Sequence, residues 1–235
     1  MLSNKSDNSN WLSLADMMTA LMVIFMFIAI NYIIQVIEHT FVEEDIYNKL
    51  QTEFISEIEE GKIELGPDGA VRFNIDRGVK LFEMSSSEPT QTFRKLLSDF
   101  LPRYWAVLKS DSSYYDYIKE IRIEGHSDVV RFVNSTNEEN YLRNLDLSQR
   151  RAANVLKFLR QHPIYRNAPD WEKERMDFLF TSIGFSYART LNKGGNYTYL
   201  DSNNIPDNQL SRRVEFRIVT SNEKLIKEIF ELGEK

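Results

Sequence analysis

Residues 121–128 read IRIEGHSD. Ile121 and Ile123 alternate with Arg122 and Glu124, which is the two-residue period of a strand with one face in a core, and the run stops in a polar Gly-His-Ser-Asp turn. Working outward, a polar, Asn-rich stretch covers Val129 to Asn144. After it LSQRRAANVLKFLR (147–160) sets Ala152, Val155, Leu156 and Leu159 on one side of a helix, with Ser148 in its early turn. FLFTSIGF (178–185) predicts another strand, a polar loop with Gly194 and Gly195 follows, and RRVEFRIV (212–219) alternates Val214, Phe216 and Ile218 with charge. On the N-terminal side, 89–108 suits a helix that ends near an aromatic cluster. KIELGPDGAVRFNI (62–75) suits a hairpin turning at Pro67-Asp68-Gly69. Strand and helix alternate, so the fold class is mixed α/β.

The totals narrow the function. A chain of 235 residues has room for one core and an appendage, and its net charge of -6 gives no basic face for nucleic acid. The absence of cysteine excludes a disulfide frame, a thiolate zinc site and a cysteine nucleophile. Three scattered histidines lack metal-site spacing, and there is no P-loop, no GxSxG and no nucleophile-base pair at a recognisable distance. The expectation is no enzyme, no cofactor and no metal.

Residues 17–37, MMTALMVIFMFIAINYIIQVI, carry no charge and are about long enough to cross a bilayer at ~1.5 Å per residue. Bulky residues at the far end do not suit a signal-peptide cut, so an uncleaved anchor is expected. Trp11 suits the headgroup interface and puts Asp16 roughly one turn inside. An ionised Asp there costs ~2.5–3.5 kcal/mol, so it must face protein or water, or carry a proton. Asp16 shares a helix face with Thr19, Ala20, Val23 and Phe27; as an alternative it could cap the helix, although Ser13 is an equally good cap. Lys5 before the span and Glu38, Glu43, Glu44 and Asp45 after it favour a cytoplasmic N-terminus. Beyond the span, Ile46, Leu50, Phe54 and Ile58 form an apolar stripe at four-residue spacing that could meet a second copy or the outer domain.

The run WLSLADMMTALMVIFMFIAI (11–30) resembles the membrane segment of MotB-type stator proteins, in which the Asp carries protons. The resemblance implies that role for Asp16, with Thr19 in support. IRIEGHSD, NLDLSQRRAANVLKFL, FTSIGF and SRRVEFRI together resemble, in order, the signature segments of the OmpA C-terminal domain over residues 70–220. That family is a small α/β sandwich binding the diaminopimelate stem of peptidoglycan through an Asp and an Arg, which fall here on Asp128 and Arg151. One carboxylate and one forked guanidinium suit a zwitterionic amino-acid end, although a plain salt bridge between strand and helix would use the same pair. By the same resemblance His126 orders its loop, and Arg212 and Arg213 support the fold. This chain departs from the pattern in a longer segment between Asp128 and Arg151, and in Ser211 where an Asn is customary.

The short tail before Trp11 and the quick approach to the outer domain resemble the ZorB family of Zorya anti-phage systems. A flagellar MotB stator is the alternative, and a passive OmpA-like wall tether is the alternative of another class. A TolR or ExbD-like subunit would lack GHSD and SRRVEF. The implied organisation is a cytoplasmic tail (1–10), a transmembrane helix (11–38), an amphipathic helical linker (39–62) and an OmpA-like periplasmic domain (63–235). The implied partners are a ring of MotA-like, ZorA-like multi-span protein, a second copy and peptidoglycan, in a bacterial inner membrane.

Overall fold

The computed structural model describes residues 5–66, 69–73, 80–112, 114–201 and 205–220. Its first element, α1 (Lys5–Glu53), is one unbroken helix. At ~1.5 Å per residue it is about 70 Å long. Its segment Ser13–Ile34 is long and apolar enough to cross a membrane and has none of its surface buried. A bare apolar surface of that length is unstable in water and comfortable in lipid.

The same helix then enters the core of the outer domain. Ile46 and Leu50 are buried, as is Phe54 just past its end, which lies 4.9 Å from Phe100 between ring centres. Of the two partners open to this stripe, the domain takes it. Arg103 fixes the arrangement from a neighbouring helix, bonding Glu53 at 2.6 Å and pairing with Glu57. Lys49 bridges Asp45 at 2.9 Å and donates to the Tyr114 hydroxyl at 2.5 Å.

The remaining elements are α2 (Ile55–Glu59), β1 (Ile63–Leu65), β2 (Val71–Phe73), α3 (Gln91–Leu108), α4 (Tyr114–Tyr117) and β3 (Ile118–Gly125). There follow α5 (Asn137–Gln161), α6 (Pro163–Arg166), α7 (Asp170–Leu179), β4 (Phe180–Gly184), a 3-10 turn (Thr198–Leu200), α8 (Asn208–Ser211) and β5 (Val214–Thr220). The sheet order is β1-β2-β5-β3-β4, with β3 and β4 parallel and the other pairs antiparallel. The expected hairpin is present as β1 and β2, closed by Gly69 at φ +69°, while Pro67 and Asp68 of its turn and Asn74 and Ile75 lie outside the described residues.

Register divides the sheet into two chemistries. Ile121, Ile123, Phe216, Val214, Val71 and Phe73 share one face and join Phe93, Phe100 and Tyr104 of α3 and Val155 and Leu159 of α5 in the core. Glu124, Arg122, Glu215, Arg217 and Arg72 occupy the opposite face, because side chains alternate along a strand.

One expected boundary moves. The Asn-rich stretch after Val129 is not all loop, since α5 begins at Asn137, and Ser148 therefore sits in mid-helix rather than in an early turn. Thr136 caps the helix, its hydroxyl accepting from Glu139 N at 3.2 Å while the Glu139 carboxylate accepts from Thr136 N at 2.9 Å. This reciprocal box supplies partners for donors that a helix end otherwise leaves unpaired.

Candidate functional site

The site lies where β3 runs out beside α5. Gly125 and Gly184 let the helix come close: a Cβ at Gly125 would meet Ser148 O at 2.1 Å, and one at Gly184 would meet Gln149 N at 2.4 Å. Backbone contact at that range leaves room only for hydrogen. The Ser148 hydroxyl donates to Leu145 O and accepts from Ser186 N, each near 3 Å, so it fastens the following loop to the helix. Ser127 N in turn donates to Ser186 O at 2.9 Å and His126 N to Arg213 O at 3.0 Å. The GHSD turn is thereby held from both sides.

Asp128 is buried, with one oxygen accepting from Val130 N at 3.1 Å and the other from Arg212 at 2.8 Å. Arg151 is also buried, donates through Nε to Ser86 O at 3.0 Å and lies over the Phe82 ring at 4.9 Å. Burial pulls its guanidinium down to about 10, the Asp128 charge opposes that shift and the Arg212 charge adds to it, so it stays cationic at neutral pH. The fold therefore brings Asp128 and Arg151 into one electrostatic neighbourhood. Among the described residues, the ion pair made by Asp128 is with Arg212 and not with Arg151. The Arg212 side chain, expected as a fold support, supports Asp128 itself and leaves one carboxylate facing two guanidiniums.

The inserted segment forms the rim. Asn140 and Asn144 are buried on α5, and Asn140 Oδ1 accepts from Phe132 N at 3.0 Å, which pins the loop after Asp128 onto the helix. Ser211, in place of the customary Asn, is fully buried and its hydroxyl accepts from Leu191 N at 3.0 Å. It ties the 190–200 loop to the start of β5.

Beside the site, the polar sheet face holds a charge network that the sequence reading missed. Glu215 meets Arg213 at 2.5 Å, Arg217 at 2.8 Å and Arg72 at 3.2 Å; Glu124 meets Arg217 at 3.3 Å and Arg189 at 3.5 Å. Desolvation would raise the Glu215 carboxyl, but the surrounding cations prevail and hold it down to about 2. His126 stacks on Phe185 at 5.3 Å, and burial together with Arg213 pushes it down to about 4, which keeps it neutral. The ligand atoms of Glu124, His126 and Glu215 come within 4.8 Å of one another, a spacing a metal could use. The cations Arg72, Arg213 and Arg217 already neutralise those carboxylates, so a dication would meet a net positive surround. His126 thus does more than order its loop, since it fills the centre of the network.

In the span, Asp16 is exposed on a bare helix, and the Thr19 hydroxyl donates to Ala15 O at 2.8 Å. That bond ties the Thr19 hydroxyl to its own helix, one turn along from Asp16.

The chain is 33% identical over 238 residues to the Zorya protein ZorB of Escherichia coli strain Crooks, with 96% of this chain and 94% of that one covered. The chain belongs to the ZorB family. Among solved structures, a MotB-like protein from Desulfovibrio vulgaris matches this ZorB-family chain at a TM-score of 0.50 and 20% identity, covering 80% of this chain and 96% of its own. That likeness is one of fold. The periplasmic domain of Helicobacter pylori MotB (15% identity, TM-score 0.44, 73% and 90% covered) is similar to a lesser degree. No family profile matches. Membership thus places in one ZorB-family chain the apolar segment Ser13–Ile34 and an outer domain whose fold is like that of the MotB-like protein.

Proposed function

We propose that this ZorB-family chain is the wall-anchored subunit of a proton-driven inner-membrane motor serving anti-phage defence. The N-terminus lies in the cytoplasm and the outer domain in the periplasm, with the tail, span, helical connection and wall domain in the order read from the sequence. Two copies place their spans within a ring of MotA-like, ZorA-like partner helices. A span with no neighbour cannot shelter its own carboxylate, so partner helices are a physical requirement.

The observation that carries this reading is one unbroken helix, α1, with an isolated carboxylate at its membrane end and a buried seat in the outer domain at its other end. Asp16 takes a proton from one side and releases it to the other, with Thr19 accepting from the protonated form. One charge falling through ~100 mV releases ~2.3 kcal/mol, which partner helices can convert into movement. Rotation becomes useful force only if the subunit is held. Asp128, oriented by Arg212, meets the ammonium of a diaminopimelate end, and Arg151, oriented by the Ser86 carbonyl and Phe82 ring, meets its carboxylate.

Wall binding is tested by sedimenting the purified chain with peptidoglycan. Asp128→Ala and Arg151→Ala are each expected to leave the chain in the supernatant, while wild type pellets. Unchanged pelleting by both variants sinks the site. Proton carriage is tested by Asp16→Asn in cells that hold the partner, where full retention of proton-dependent defence would reduce the chain to a passive tether.

A further inference from the structure

The span contains a second polar group that proton carriage by Asp16 does not use. Between Ser13 and Ile34 the polar side chains are Ser13, Asp16, Thr19, Asn31 and Tyr32, and Ala20 to Ile30 form an uninterrupted apolar run. Asn31 stands fifteen residues beyond Asp16, about 22 Å along the axis, and at 100° per residue it lies about 60° around from Asp16. Asp16, Thr19, Val23, Phe27 and Asn31 therefore make one stripe, while Tyr32 falls on the far side.

The amide is only half satisfied by its own helix. Asn31 Nδ2 donates to Phe27 O at 3.0 Å, a bond that fixes which way the group points. Among the described residues nothing donates to its Oδ1. An amide oxygen turned toward hydrocarbon is unfavourable, so it requires a donor from water or from a neighbouring helix. Whatever faces Asp16 also faces this acceptor.

We infer that Asn31 marks the outer mouth of the ion path to Asp16, holding water against the ring-facing stripe of the span with its carbonyl oxygen outward. Between this mouth and the carboxylate the stripe offers only Val23 and Phe27, so protons cross that stretch on water or polar groups that the ring helices supply. The inference rests on proton carriage by Asp16, and it assigns to Asn31 access rather than carriage.

The test uses the full chain assembled with its MotA-like partner in membrane vesicles, with proton uptake driven by an imposed potential and compared with vesicles of the partner alone. Asn31→Leu is expected to lower uptake several-fold while the complex keeps its composition. Asn31→Ser, which keeps an outward oxygen, is expected to retain most of the uptake. Wild-type uptake by Asn31→Leu overturns the inference, as does loss of the partner or of the second copy from that variant's complex, which would make Asn31 an assembly residue. Asp16→Asn in the same assay keeps the two readings apart: uptake abolished there with Asn31→Leu unchanged rejects only the mouth, and wild-type uptake by Asp16→Asn rejects carriage and the mouth together.

Discussion

The outer domain buries Glu124 and Glu215 and surrounds them with guanidiniums of its own chain, whereas the membrane span carries Asp16 with no cation among the described residues to meet it. Both regions place carboxylates where bulk water is excluded or about to be. In the sheet the cost of burial is offset internally, by guanidiniums that hold Glu215 ionised at neutral pH. In the span the offset must come from outside, from partner helices or from a proton. The chain thus answers the same electrostatic cost within itself in one place and leaves it open in the other.

Neutralising the unsatisfied charge should have the largest effect. Asp16→Asn is expected to remove proton-driven activity completely in the assembled complex while leaving the unfolding of the outer domain unchanged, since nothing in that domain touches Asp16. Activity assayed beside denaturant unfolding of the same preparation checks both halves of the statement.

The opposite manipulation is to unbalance the satisfied cluster. Arg213 is fully buried, bonds Glu215 at 2.5 Å and donates to the Arg189 carbonyl at 3.0 Å. Breaking a buried pair by removing one member leaves an uncompensated charge and costs about 3–5 kcal/mol. Arg213→Ala should lower the urea midpoint by a corresponding amount without changing the slope. A variant within 1 kcal/mol of wild type, on the order of a surface change, would mean that the network is not what holds this face.

Acid should loosen the satisfied cluster in two steps. His126 has its folded value at about 4, below its ordinary 6.5, so between those values the unfolded chain binds more protons and stability falls as pH drops. Glu215, held down to about 2 from 4.5, acts in the same direction in the next window down, losing its contribution between 4.5 and 2. The His126 contribution is on the order of 3 kcal/mol at about 1.4 kcal/mol per pKa unit. Unfolding measured from pH 7 to 2 should show both losses in wild type, and His126→Gln should flatten the first while leaving the loss between 4.5 and 2. An unaltered slope in that variant would assign the acid sensitivity elsewhere.

How much of this was legible in the sequence follows from what each feature depends on. Strands β3 and β5 could be read from Ile121/Ile123 and Val214/Phe216/Ile218, because alternation is a local property. Asp128 and Arg151 were singled out through the resemblance carried by the GHSD and SQRRA motifs, and the fold sets their charges near each other; the glycines in GHSD and SIGF take on meaning once α5 is seen against them. The charge network was not legible: Glu124, His126 and Glu215 gather only through the β3–β5 register, and no spacing along the chain announces a register. The Ser86 carbonyl beneath Arg151 was hidden for the same reason. The first two turns of α5 were hidden differently, since their Asn residues have poor helix propensity and the run reads as loop. The signal present was Thr136 followed three residues later by Glu139, a capping box placed before an apolar pattern begins.

That box supplies the smallest of the expected effects and a direct test of how far the rim matters. Thr136→Ala removes the hydroxyl that accepts from Glu139 N and loosens the reciprocal bond from Thr136 N, at a cost of about 1 kcal/mol. The loss falls on the turn of α5 that carries Asn140, whose side chain holds the loop following Asp128. Asp128 keeps its bond from Arg212 in β5's approach, and Arg151 is four turns away along α5, so neither charged group is released. Thr136→Ala should therefore shift the urea midpoint slightly and leave peptidoglycan sedimentation close to wild type. If sedimentation falls as far as it does for Asp128→Ala, the inserted rim is itself part of the grip, and the boundary between holding the domain together and holding the wall would have to be drawn through residues 129–144.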